Sequence, residues 1–352
     1  MNNIYRLEHV AWEITTACNL RCGHCGSSCT DKKADELNTD EALALIDDIM
    51  QLHPREFIFT GGEPFMRKDW YELAKRISCY DTNFRIITNG TLITPEVIRQ
   101  LADTKVKVVG ISLDGTCEQH NRIRNANCYD QCLKALKMLK DAGIPTAVNT
   151  TLVKENIGSL QMLKQDLHQA GVVSWQLQPG IASGRMSEHR DWMLAPKDIR
   201  RIIDFAYEEN LKDEYPKIFL PDTIGYYSNK EALARRIAYG CGEYPLWKGC
   251  SAGIRSMDIL YNGDVTGCLS IRDKSFTEGN VRERRASEIW NDENSFAWRR
   301  QLTPQKLSGH CRFCKYVEYC LGGCSNMRLC TKGSIYSSND YCIYHLEKQQ
   351  KE

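Results

Sequence analysis

The 352-residue sequence predicts an α/β fold built on a parallel sheet, with a cysteine-rich segment appended. Three observations carry this. Over roughly the first 210 residues, short apolar or β-branched runs alternate with helical patterns, and β-then-α units in series imply a parallel sheet with helices outside it. The chain holds 17 cysteines, unevenly placed. After Tyr215 the alternation fades, and residues 241–345 are rich in Cys, Gly and turns. Six β/α units fall short of the eight that close a barrel, which leaves an open or partial barrel or a doubly wound sheet.

The expected strands are His9–Thr15, Arg55–Thr60, Phe84–Thr88, Lys107–Ser112, Pro145–Thr151 and Val173–Gln178, each bounded by turn residues. The segment Asp40–Leu52 puts Ala42, Leu43, Leu45, Ile46 and Ile49 on one helical face. Thr94-Pro95 reads as an N-cap followed by a first-turn proline. The segment Tyr129–Ala142 ends at Gly143, a fitting C′ residue, and further helices are expected at Ile157–Ala170 and Pro196–Glu209. The expected organisation is a core over 1–215, a bridging region over 216–240 and a Cys-rich domain over 241–352. A segment poor in long periodic runs buries little core per residue, so bound metal could supply its stability.

Composition narrows the function classes. With 46 Lys+Arg against 45 Asp+Glu the net charge is +1, which rules out a strong electrostatic footprint for nucleic acid or an anionic membrane. No apolar run approaches the ~20 residues that span a bilayer. Met1–Tyr5 lacks the basic start and apolar stretch of a signal peptide, so a reducing cytoplasm is expected. Clustered cysteines in such a chain bind metal or do redox chemistry more often than they form disulfides.

Cys18, Cys22 and Cys25 follow the first strand as C-x3-C-x2-C. Zinc sites usually pair C-x2-C motifs far apart in the chain. Three close thiols can instead hold three corners of a [4Fe–4S] cube and leave the fourth iron open. Cys29, were it a fourth ligand, would close that corner. In βα order there follow Gly61-Gly62-Glu63-Pro64, Thr88-Asn89-Gly90, Ser112-Leu113-Asp114-Gly115, His120-Asn121-Arg122-Ile123-Arg124, Asn149-Thr150, and Gln178-Pro179 through Gly184-Arg185. Over residues 8–190 this series resembles the radical S-adenosylmethionine (SAM) enzymes, and its order and placement are what carry the resemblance.

The resemblance implies a partial (β/α)6 TIM-like barrel. It implies that the SAM amino and carboxylate groups chelate the open iron. The reduced cluster then breaks a sulfonium C–S bond, and the 5′-deoxyadenosyl radical takes a hydrogen atom from substrate. Gly61 and Gly62 let backbone carbonyls approach the SAM amino group, with Glu63 facing its charge and Pro64 closing the motif. Thr88, Asn89 and Asn149 are further cofactor-binding positions by the same resemblance. Ser112 and Asp114 offer acceptors to ribose hydroxyls, and Arg124 is the expected partner of the SAM carboxylate.

The C-terminal cysteines add a second pattern. Cys250 is followed by Gly263 and Cys268, then by Cys311, Cys314, Cys320 and Cys324 as C-x2-C-x5-C-x3-C, and finally by Cys342. This is similar to the SPASM signature at all seven positions and implies a C-terminal Cys-rich SPASM domain with two auxiliary [4Fe–4S] clusters. By the family pattern Cys311, Cys314, Cys320 and Cys342 hold the distal one, and Cys250, Cys268 and Cys324 the nearer one. Cys241 is its fourth ligand, or that iron is open to substrate. Cys29, Cys79, Cys117, Cys128, Cys132 and Cys330 stay unassigned.

Most such enzymes modify ribosomally made peptides or proteins, so a peptide or protein side chain is the expected substrate, with a flavodoxin- or ferredoxin-type reductant. Only 17 residues precede Cys18, so a leader peptide would need a separate recognition protein. Leu269 follows Cys268 where sulfatase-type maturases carry an Asp base, which argues against formylglycine formation. Ala11–Thr15 and Phe59–Pro64 also look like the haem-pathway members, so a haem precursor or other small molecule is the alternative substrate. A zinc-binding interaction module is the alternative from another class; it leaves the cysteine trio and Gly61–Pro64 unexplained. No catalytic acid, base or hydrogen donor is assigned, with Tyr226, Tyr227 and Asp222 as candidates.

Overall fold

The computed structural model describes residues 5–224, 226–242 and 247–350. Ten strands form one sheet: β1 (His9–Glu13), β2 (Glu56–Thr60), β3 (Asn83–Thr88), β4 (Val108–Ser112), β5 (Thr146–Leu152), β6 (Ser174–Pro179), β7 (Lys217–Phe219), β8 (Ser256–Ile259), β9 (Asp264–Thr266) and β10 (Thr277–Asn280). Their order is β10-β9-β8-β1-β2-β3-β4-β5-β6-β7. All pairs from β8 to β7 are parallel, while β9 and β10 run antiparallel at one edge. A doubly wound sheet reverses its strand order part-way. Here β1 to β7 follow one another without reversal and the two ends do not pair, which selects the partial barrel.

The helices form for local reasons. Asn38 caps Thr39–Met50 in a reciprocal box, accepting from the Glu41 N–H while Glu41 accepts from its own. Thr94 caps Pro95–Asp103 through the Val97 N–H. The helix Tyr129–Asp141 stops where Gly143 takes φ +72°. Helices Trp70–Ile77, Cys117–Arg124 and Asn229–Tyr239 were not legible as periodic runs, nor was β7, whose three residues are too short for a pattern.

The expected boundaries at 215 and 240 do not coincide with a break in the sheet. The bridging region supplies β7, and the Cys-rich segment supplies β8 to β10, with β8 parallel to β1. Met257, Ile259, Trp290, Phe296 and Ile343 join Trp12, Phe57, Phe59 and Trp175 in one apolar core.

The strands alternate between two faces. Along β5, Thr146, Val148, Thr150 and Leu152 are buried, while Ala147, Asn149 and Thr151 line a cavity of about 660 Å³ inside the curved sheet. Glu13, Arg85, Ser112, Gln176 and Gln178 line the same lumen from other strands. Parallel strands buried on both faces usually read as continuous apolar runs, so these alternating polar residues mark an internal cavity.

Candidate active site at the lumen mouth

The loop after β1 carries Cys18, Cys22 and Cys25, and all three line the lumen. Cys22 is buried with Leu20 and Cys128, and Cys18 and Cys25 pack against them. Backbone bonds pin the loop. The Cys18 N–H donates to Thr30 O (2.8 Å) and the Gly23 N–H to Ile123 O (3.0 Å). Arg185 donates from Nε to Cys22 O (2.9 Å) and from its terminal nitrogens to Cys29 O. The Glu63 N–H donates to Ala17 O (2.7 Å) and the Gly62 N–H to Thr15 O (2.8 Å), so Gly61–Pro64 is stitched to the cysteine loop.

Gly62 shows why that position is glycine: a Cβ there would sit 2.2 Å from Ala17 O. We expect Gly62→Ala to displace the Ala17–Cys18 backbone and to cut iron loading of the N-terminal cluster several-fold, with the protein still folded. Iron per chain and circular dichroism check this.

The Glu63 carboxylate is fully buried and accepts from the Asn89 N–H (2.7 Å), the Thr88 hydroxyl (2.7 Å) and the Phe65 N–H (3.3 Å). Burial pushes it up to about 7, against those bonds and the charge of Arg124. Between about pH 4.5 and 7 the folded chain therefore binds more protons at Glu63 than the unfolded chain does. Stability from this group is present below that window and lost as pH rises through it, by at most about 3 kcal/mol. The slope of unfolding free energy against pH should flatten in Glu63→Gln, measured by denaturant titration at pH 5 and 7.5.

Asp114 is held beside Arg124. Its carboxylate is enclosed and does not line the lumen. Oδ2 accepts from Arg124 Nε (2.8 Å) and lies 3.0 Å from His24 Nε2, while Oδ1 accepts from the Thr151 N–H (2.8 Å). Burial alone would raise its pKa, but the Arg124 charge, then His24, outweighs burial and holds the carboxyl well below the usual range. A buried carboxylate needs such partners, and these engage both of its oxygens. Arg124 does line the lumen, with its remaining nitrogen 4.0 Å from Cys22 Sγ. Ser112, Thr88, Asn89 and Asn149 line the same wall.

Three thiols on one loop, all lining the same cavity, suit three corners of an iron–sulfur cluster. A zinc ion with Zn–S near 2.3 Å holds its sulfurs about 4 Å apart. Among the described residues, none of the expected ligand sets brings three sulfurs within 4.8 Å of one another. The one group of three metal-ligating side chains among the described residues whose donor atoms lie that close is His120, Cys128 and Cys132, with one ring nitrogen and two sulfurs. There His120 Nδ1 accepts the Asp114 N–H (3.1 Å), so Nε2 carries the proton and faces Cys128 Sγ at 3.2 Å. That polarity makes a hydrogen-bonded thiol pair rather than a ligand set. Cys132 continues the chain to Asn89 O (3.2 Å).

Burial pushes Cys22 up to about 11 and Cys268 and Cys342 to about 12, and it raises Cys311, Cys320 and Cys324 as well. Only a nearby cation reverses that cost and makes them thiolates. Burial, then the Glu13 carboxylate, raise Cys29 as well, with Arg272 opposing them, as Arg124 opposes burial at Cys22.

The family models match this architecture. The radical SAM superfamily model covers residues 12–167, and an iron–sulfur cluster-binding SPASM domain covers 250–315. The chain is 31% identical to an AdoMet-dependent heme synthase of Methanosarcina barkeri, over 99% of both chains. The chain belongs to the radical SAM superfamily, in the branch that carries a SPASM domain. It is 27% identical to the mycofactocin maturase MftC of Mycolicibacterium smegmatis, over 95% of this chain and 82% of that one. In fold it matches Streptococcus suis SuiB with TM-score 0.76 at 17% identity, covering 97% of this chain and 78% of that one.

This radical SAM/SPASM enzyme therefore uses SAM and iron–sulfur clusters. Cys311, Cys314, Cys320 and Cys342 converge on a second cavity of about 320 Å³, well away from β1 in sequence. The charges of Cys250 and Cys268 act on Cys324, which groups those three. Cys241 lies just past the helix Asn229–Tyr239 and is not among the strongest charge neighbours of Cys268 or Cys324. Cys330 donates to Asn326 Oδ1 (3.3 Å), while Cys79 and Cys117 are exposed.

The candidate hydrogen donors are not at the lumen. Tyr226 and Tyr227 line the second cavity, and their hydroxyls donate to Asp222 O and Trp247 O. Asp222 accepts from Trp247 Nε1 (2.8 Å). Sequence reasoning missed Asp258 and Arg272, which do line the lumen. Asp258 accepts from the Ala11 N–H (3.2 Å) and the Leu269 N–H (2.8 Å), fastening the Cys268 loop to β1. Arg272 pairs with Glu13 (2.7 Å) and donates to Ser27, tying the same loop to the N-terminal cysteines. Both pairings cross about 250 positions of sequence, so no local signal announces them.

Proposed function

We propose that this radical SAM/SPASM enzyme removes a hydrogen atom from an iron-tetrapyrrole precursor of haem held in the lumen. The observation that carries it is the placement of Cys18, Cys22 and Cys25 on the wall of an open cavity of about 660 Å³, within the size range of small-ligand sites. The end-to-end relationship to a heme synthase supports the substrate class. The second reading is a peptide or protein side chain, supported by the relationship to a mycofactocin maturase.

Cys18, Cys22 and Cys25 would hold the SAM-binding cluster. Cys311, Cys314, Cys320 and Cys342 would hold the distal auxiliary cluster, and Cys250, Cys268 and Cys324, with Cys241 as fourth, the nearer one, making three [4Fe–4S] clusters. When bound, the first cluster and SAM supply an electron and a 5′-deoxyadenosyl radical that takes hydrogen from carbon. Arg124 is the cation for the SAM carboxylate, fixed in place by Asp114. Ser112 and Asn149 offer hydrogen bonds, and Gly61 and Gly62 open the backbone to the cofactor. The curved sheet keeps water and stray hydrogen donors from the lumen.

A flavodoxin- or ferredoxin-type protein would deliver electrons, and the peptide reading adds a separate leader-recognition protein. The cytoplasm is the proposed location; no described helix is long and apolar enough to cross a membrane. Anaerobic purification and SAM turnover with an iron porphyrin test the proposal. We expect a brown protein with about twelve irons per chain that releases 5′-deoxyadenosine. A colourless protein with about two zinc ions would overturn it.

A further inference from the structure

We infer that Arg328 is a buried counter-charge shared by the two auxiliary cysteine sets and that it raises the reduction potential of both clusters; the inference rests on the ligand sets proposed above. A guanidinium taken out of water needs an anion beside it. Five arginines are buried among the described residues: Arg67, Arg124, Arg235, Arg299 and Arg328. The first three pair with the carboxylates of Asp69, Asp114 and Glu231. The other two have only neutral partners among the described residues. Arg299 Nε donates to Cys250 O (2.9 Å), and the terminal nitrogens of Arg328 donate to Ser337 O (3.4 Å) and Ser325 Oγ (3.3 Å). Arg328 is the extreme case: it is 0% exposed, and its Nε has no hydrogen-bond partner.

Its position supplies the missing anion. Leu321, Gly322 and Gly323 take φ of 48°, 83° and 74°, so the chain curls tightly between Cys320 and Cys324. A Cβ on Gly322 would sit 2.7 Å from Arg328 Nη1, so the guanidinium lies against that backbone. Gly322 lines the second cavity together with Cys311, Cys314, Cys320 and Cys342. Cys324 caps the helix Ser325–Lys332 that carries Arg328. The cation is thus held at the turn that joins a ligand of the distal set to a ligand of the nearer one. Burial pulls Arg328 below its usual range, and the groups that oppose burial are, largest first, Cys311, Cys250, Cys324 and Cys320, two from each set. A four-iron cluster on thiolates gains negative charge on reduction, and surrounding charge helps set its potential. A fixed cation in a buried site is little screened, so it favours the reduced form of either cluster.

The test is an EPR-monitored redox titration of the anaerobically loaded Cys18→Ala, Cys22→Ala, Cys25→Ala enzyme, which serves as parent and shows the auxiliary clusters alone. We expect Arg328→Gln to weaken one-electron reduction of each cluster about tenfold, a fall of about 59 mV in each potential. Arg328→Lys keeps a cation there and should hold both potentials closer to the parent's. Packing alone would not separate these two variants. If Arg328→Gln keeps the parent's iron and either cluster's reduction equilibrium stays within about twofold of the parent's, the shared counter-charge is overturned while the ligand sets stand. The same follows if Arg328→Lys falls as far as Arg328→Gln. If Arg328→Gln loses auxiliary iron, Arg328→Lys decides: iron retained with the charge supports the inference, and iron lost in both overturns it. If the parent itself holds well under about eight irons per chain, the ligand sets fall and the inference with them.

Discussion

Replacing Cys18, Cys22 and Cys25 together with Ala reduces 5′-deoxyadenosine formation to background and lowers iron from about twelve to about eight per chain. The expected loss is complete because the three thiols share one loop and no other thiol is placed to substitute. Cys29 is the nearest rival in sequence, and a single remaining thiol in that loop cannot hold a four-iron cluster. Cys128 packs against Cys22 but is held by His120. The fold should survive, because the loop is pinned through backbone groups by Arg185 and Glu63 rather than through sulfur. Product release is read by chromatography and iron by colorimetric assay. Turnover at the parent rate would remove the basis for the mechanism.

Asp114→Asn destabilises the chain by about 3–5 kcal/mol, the second large effect. Arg124 is 8% exposed, and its charge is balanced by the one carboxylate it touches. Asparagine keeps the shape but leaves that guanidinium buried without a counter-charge. It also weakens the bond from the Thr151 N–H and the contact with His24. The denaturant midpoint under anaerobic conditions measures the loss. Asp114→Asn combined with Arg124→Gln should recover part of it, since the second change removes the stranded charge. Additive losses would show that the two residues do not act as a pair.

Asp114 also shows how much of the site was legible. Its place at the end of β4 identified it as a site residue, and the structure does hold it within hydrogen-bond distance of Arg124. Its partners were not legible, because sequence does not reveal that β5 and His24 pack against its carboxylate. Cys18, Cys22 and Cys25 were readable because their spacing within one loop is itself the chemistry. Gly62 was readable as a site of close approach, but not that its neighbour is Ala17 O. Arg272 and Asp258 were not readable at all.

By itself the sequence determined the order of the first six β/α units, the thiols available for clusters and the superfamily, because each rests on local periodicity or short spacing. Only the tertiary structure decided that the Cys-rich segment continues the core sheet through β8 and that Asp114 pairs with Arg124. Those outcomes depend on pairings between residues as far apart as Glu13 and Arg272. Such contacts form when the chain closes on itself and buries charge, and no window of local sequence contains both partners.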